Sequence, residues 1–101
     1  MASIKVTKAS SVKSIKYQFK KDTGLTLRIY NGVRFADDKT KIVEIAKTDD
    51  PTGLLEIHGR TLVGNVEKFF KESFGIRVQI ANGKDTDLMD NKVSLAKAKK
   101  A

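Results

Sequence analysis

Ile4 and Val6 flank Lys5 and precede Thr7. That alternation has the period of a strand with one buried face. The period then changes. Val12, Ile15 and Phe19 fall at i, i+3 and i+7, one apolar stripe of an amphipathic helix. Gly24 follows the last apolar turn, where a left-handed C′ residue ends a helix without a Cβ penalty. Leu25, Leu27 and Ile29 alternate with polar neighbours and predict a second strand. Asn31-Gly32 predicts a type I′ hairpin turn, because both residues tolerate positive φ. Residues 33–35 then predict a short returning strand. A shorter helix is expected over residues 40–47, with Asp37, Asp38 and Thr40 available as caps.

The series then recurs. Shifted by 51 positions, residues 3–47 align without a gap onto residues 54–98. Val12 meets Val63, Phe19 meets Phe70, Lys20 meets Lys71, and Gly24 meets Gly75. Ile29 meets Ile80, Asn31-Gly32 meets Asn82-Gly83, and Lys41 meets Lys92. Conservative matches such as Ile4/Leu55, Leu27/Val78 and Ile42/Val93 fill the intervals. The identities fall on turns and apolar positions, which marks a structural duplication. The second half therefore predicts a strand at Leu55 and Ile57, and a helix on Val63, Val66 and Phe70. A further strand at Ile76, Val78 and Ile80 follows, with a weaker return at residues 84–86 and a short helix over residues 91–99 capped by Asp90 or Asn91.

The expected architecture is one α+β domain over residues 1–101. It consists of two repeats, 3–47 and 54–98, joined by a turn at residues 48–53 that holds the only proline. Two βαβ units in series predict a ferredoxin-like β-α-β-β-α-β arrangement, or paired halves of another kind. Short extra helices follow the second and fourth strands.

Each half also resembles the central part of ubiquitin-like, β-grasp proteins. The stretch "LLEIHGRTLVGNVEKFFKESFGIRVQIANGKDTDLMDNKVSLAKA" reads as their strand, helix, "GI", strand, small-Gly turn, short strand and capped helical turn. In the first half "LRIYNGVRFADDKTKIVEI" has the same hairpin and "ADD" segment. The resemblance covers most of each half but not the flanking strands. It implies paired β-grasp-like halves as the alternative to the ferredoxin-like arrangement, and a small interaction domain without catalysis.

Composition narrows the function classes. There is no cysteine, so disulfides, thiolate metal sites and cysteine nucleophiles are excluded. This fits a reducing compartment and is read as cytoplasmic. No apolar run approaches the roughly 18 residues of a membrane span, and no secretory h-region opens the chain. The net charge is +8. Residues 1–47 carry 11 of the 20 lysines and arginines against 4 of the 12 acids, so the excess sits in the first half. Such a balance draws nucleic acid, anionic surfaces or acidic proteins.

Catalytic chemistry is sparse. His58 is the only histidine and has no second histidine or cysteine to share a metal or a proton relay. Residues 59–65 have the glycine spacing of a phosphate loop, but Asn65 and Val66 stand where lysine and a hydroxyl are required. Asp85, Asp87 and Asp90 lack the spacing of a calcium loop. The expectation is no enzyme, no metal and no cofactor.

Two surfaces remain. On the first long helix Lys13, Lys16, Lys20 and Lys21 form a basic stripe around Tyr17, which the second helix interrupts with Glu67 and Glu72. On the open sheet face the outward residues include Arg28, Tyr30 and His58. The two strands expected at the sheet centre, around Ile4 and Leu55, carry no aromatic ring besides the imidazole. That speaks against base stacking of the RNA-recognition kind. The expected function is a small non-enzymatic protein-interaction or adaptor module, with a protein partner or self-association. The alternative is a nucleic-acid-binding accessory protein contacting phosphates through the first long helix.

Overall fold

The computed structural model describes residues 2–48 and 51–99. Asp49 and Asp50, the centre of the predicted joining turn, lie outside them. The alternating N-terminal segment forms β1 (Ala2–Val6), followed by α1 (Val12–Thr23), β2 (Thr26–Asn31), β3 (Arg34–Phe35) and α2 (Ile42–Ile45). The second half supplies β4 (Gly53–Ile57), α3 (Val63–Phe74), β5 (Val78–Ala81) and α4 (Leu95–Lys99). The result is an α+β fold with four helices and two antiparallel sheets.

Local chemistry sets the helix ends. Ser11 caps α1 by accepting from the Ser14 N–H at 3.1 Å. Gly24 (φ 75°) and Gly75 (φ 69°) terminate α1 and α3, and their N–H groups donate to Lys20 and Lys71 carbonyls. The apolar stripes point inward as their spacing requires: α1 buries Val12, Ile15 and Phe19, and α3 buries Val63, Val66, Phe70 and Phe74. These join the inward residues of β1, β2, β4 and β5 in one buried cluster.

The strand pairing differs from the ferredoxin-like expectation. That arrangement puts the first strand of each half at the centre of one four-stranded sheet. Here β1 pairs only with β4, and β2 lies between β3 and β5. The hairpins account for the difference. β2 gives one edge to its own return strand β3, and β5 gives one edge to Leu88 and Met89. Their remaining edges meet, so that Leu27 opposes Ile80 and Ile29 opposes Val78 on the buried face.

Each long-range ladder contains a facing pair 51 positions apart: Ile4 with Leu55, and Arg28 with Gln79.

Three further expectations need correction. Asn31 pairs with Arg34, so the first turn consists of Gly32 and Val33. Only Gly32 has positive φ, at 68°, which excludes type I′. Second, residues 84–86 form no strand; they belong to a longer loop, and the chain returns to β5 only at Leu88.

Third, the ungapped register fails beyond that loop. The Ala36 N–H donates to the Ile29 carbonyl as Met89 donates to Ile80, and Ile42 donates to Ser10 as Leu95 donates to Thr61. Those counterparts are 53 apart, so the second loop is two residues longer. Leu95, 4% exposed, takes the place of Ile42, not Val93. The short helices start later than predicted because Asp37 and Asp90 close turns instead of capping them. Their carboxylates accept from the N–H groups of Lys39 and Lys92, two residues on.

Candidate functional site

Residues 26, 28 and 30 of β2 alternate outward between buried Leu25, Leu27 and Ile29. Tyr30 sits opposite Phe35, and the two rings stack with centroids 5.0 Å apart and planes at 27°. The Arg77 guanidinium lies over the Tyr30 ring at 5.0 Å, and Arg28 lies over Phe35 at 5.9 Å. The Tyr30 hydroxyl donates to Gln79 Oε1 at 2.6 Å, which fixes the ring. Phe35 stays 64% exposed and Val33, at the hairpin tip, 90%. Two of the chain's four arginines therefore meet this outward-facing ring pair.

The longer loop closes the other end of this face. Arg28 donates through Nε to Asp85 Oδ1 at 2.6 Å and through Nη2 to the Asp85 carbonyl at 3.1 Å. The hydrogen bond to Asp85 raises the Arg28 pKa above its ordinary value, with desolvation opposing it. Asp85 has φ 57°, a conformation Asp tolerates better than most residues. Asn82 organises the loop: its Oδ1 accepts from the Thr86 N–H at 2.8 Å and its Nδ2 donates to Thr86 Oγ1 at 2.8 Å. The Gly83 carbonyl accepts from Lys20 Nζ and, at 3.5 Å, from Thr26 Oγ1. A Cβ at Gly83 would stand 2.9 Å from the Gly24 carbonyl, so glycine is required by that close approach. The three aspartates considered for calcium are thus separately engaged: Asp85 with Arg28, Asp87 with Thr86, and Asp90 with Lys92.

The helix stripe is partly committed. Lys16 pairs with Asp38 at 3.0 Å, and Lys20 reaches Gly83. Lys20 and Lys21 occupy the last turn of α1, where cations oppose the helix dipole. Lys13 and Lys21 are exposed, and Tyr17 is 67% exposed. Lys13, Lys16, Tyr17, Lys20, Thr26, Leu27 and Asp38 line a shallow groove of about 300 Å³ between α1 and β2. The corresponding groove between α3 and β5 includes Gly64, Glu67, Lys68, Lys71, Arg77 and Val78, six positions that lie 51 residues after six of those lining the first. It has mixed charge. Partial burial pushes the Glu67 pKa up, while the Arg77 charge pulls it down.

His58 does not lie on the sheet face. β4 ends at Ile57, and His58 opens a turn in which its N–H donates to Thr61 Oγ1 at 2.9 Å. Of the eight sequence-derived candidates, Arg28 and Tyr30 share the sheet face. Lys13, Lys16, Tyr17, Lys20 and Lys21 share α1, and His58 stands apart. Phe35 was missed; its signal is the hairpin register, which sets it beside Tyr30. Among the described residues no helix is long and apolar enough to cross a membrane.

No protein family, curated protein or solved structure matches the chain.

Proposed function

We propose that this chain is a small non-enzymatic interaction module built from two copies of one β-α-β unit, and that its partner is nucleic acid. The observation that carries the reading is the Tyr30–Phe35 ring pair between Arg28 and Arg77 on the outward face of the β3-β2-β5 sheet. The objection to base stacking assumed that β1 and β4 stand at the sheet centre. With β2 there instead, the central strand carries an aromatic ring. The duplication is supported by the facing pairs Ile4–Leu55 and Arg28–Gln79, each 51 positions apart, and by the paired grooves. Phosphate contact through α1 alone is less favoured, since Lys16 and Lys20 already have partners.

The test is a salt titration of binding to mixed-sequence duplex and single-stranded oligonucleotides. Affinity is expected to fall steeply between about 50 and 200 mM salt. Arg77→Glu is expected to weaken binding more than Lys16→Glu. Absence of binding to either probe at low salt removes the reading. The second reading, a protein partner or self-association, is favoured by exposed Val33 beside Phe35. It predicts a concentration-dependent dimer by light scattering that Val33→Asp abolishes.

A further inference from the structure

We infer that the outward face of the β3-β2-β5 sheet selects single-stranded nucleic acid, with a base stacked on Phe35 beside Tyr30 and a neighbouring phosphate met by Arg77. This inference rests on the nucleic-acid reading and narrows it.

Phosphate attraction by itself needs only cations, and the lysines scattered over this chain supply them without aromatic rings. A ring adds affinity only when it meets the face of a base. A duplex keeps those faces stacked on one another, whereas a single strand offers them. Here two rings from neighbouring strands stack on each other, with the Arg28 guanidinium 5.9 Å over the Phe35 ring. The outer one is the more open, with Phe35 64% exposed. Tyr30 is held in place by its hydroxyl bond to Gln79 and by the Arg77 guanidinium, so the pair is ordered before any ligand arrives.

Charge points the same way. β2, β3 and β5 contribute no Asp or Glu. At this face the Asp85 carboxylate neutralises Arg28. Arg77 is exposed and forms no ion pair among the described residues, although the Glu67 carboxyl shares its groove and feels its charge. It is therefore the guanidinium available to a phosphate. Its planar fork suits both stacking on Tyr30 and bonding to phosphate oxygens, which a lysine there would not combine. Stacking is sequence-tolerant, so the expected ligand is an unstructured strand of any sequence.

The chain has two tyrosines and no tryptophan, so a Tyr17→Phe protein reports on Tyr30 alone. The probes are labelled oligothymidylate and oligouridylate of about a dozen nucleotides, and a matched duplex. The expected result is quenching of Tyr30 emission together with a rise in strand anisotropy. Binding of either homopolymer supports the inference and assigns the preferred sugar. Phe35→Ala is expected to weaken the strand by roughly five- to a hundredfold. Phe35→Leu, which keeps an apolar side chain without a ring, is expected to do nearly the same. Arg77→Gln is expected to weaken it and to lower the salt slope by about one. Circular dichroism confirms that each variant is folded. Strand binding unchanged by Phe35→Leu and Arg77→Gln overturns the inference. So does a duplex bound as tightly as the strand, although the broader nucleic-acid reading then survives. Failure of strand and duplex alike removes both.

Discussion

Two Asn-Gly dipeptides, Asn31-Gly32 and Asn82-Gly83, stand at corresponding places in the two halves and do different work. The first is the end of a tight hairpin. Gly32 supplies the positive φ, has open space around it, and sends the chain straight back as β3. The second begins a loop two residues longer, in which the Asn82 side chain replaces strand pairing as the organising element. Gly83 is wanted there for contact, because its backbone lies against Gly24. The short loop leaves Phe35 exposed. The long loop reaches across to hold Lys20, Thr26 and Arg28. Shared letters specify shared scaffold only as far as the chain length between pairing points is also shared.

The comparison breaks most visibly if the scaffold is not shared. Phe19 and Phe70 are both fully buried at corresponding helix positions. Replacing either by alanine is expected to cost about 3–5 kcal/mol in urea denaturation. The two helices are not equivalent in the core if one substitution costs less than half the other.

Asn82→Ala is expected to cost about 1–2 kcal/mol, since it unmakes several loop hydrogen bonds. Asn31→Ala, whose side chain is exposed and takes part in none of the described hydrogen bonds, is expected to stay within about 0.5 kcal/mol. Equal costs in thermal melts sink the contrast between the loops.

Smaller again is the tie between the long loop and β2. The Arg28–Asp85 pair has the arginine mostly covered and the aspartate half exposed. A double-mutant cycle with Arg28→Gln and Asp85→Asn should give a coupling below about 1 kcal/mol that shrinks with added salt. A salt-independent coupling contradicts this.

The smallest effect concerns Glu67, which stands where the first half has Lys16. Its pKa in the folded chain is raised above 4.5, chiefly by desolvation. The folded state therefore holds this proton more tightly than the unfolded chain does. The associated stability is complete below pH 4.5 and is lost as pH rises through the folded value. Glu67→Gln should stabilise the protein at neutral pH by no more than about 0.5 kcal/mol, and the gain should vanish below pH 4.5. A gain that persists in acid assigns it to another cause.

The elements themselves were legible because each depends on near neighbours. The stripes of α1 and α3, the glycines that end them and the alternation in β2 and β5 all follow from local spacing. Strand partners were not legible. Alternation tells which face of a strand is buried, but not which of its two edges meets which neighbour. The choice was made by the hairpins, which used up one edge of β2 and one of β5. The two-residue difference between the loops was hidden because Lys41 and Lys92 coincide in the ungapped register, whereas buried Leu95, and not Val93, stands where Ile42 does. The ring pair depended on the turn. A type I′ turn at Asn31-Gly32 sets Phe35 across from Arg28, whereas the turn at Gly32-Val33 brings it across from Tyr30.

Both long-range ladders join residues from opposite halves, β1 with β4 and β2 with β5. On their own the first 48 residues leave β1 without its partner strand and β2 paired with β3 alone. During synthesis, at about 5–20 residues per second, the nascent first half waits several seconds for its strand partners, with the pairing edges of β1 and β2 open. Folding is then a late closure across a long stretch of chain, slower than local contacts would allow. The net positive charge of that first half, 11 basic against 4 acidic residues in residues 1–47, makes the waiting segment resistant to association with other unfinished chains.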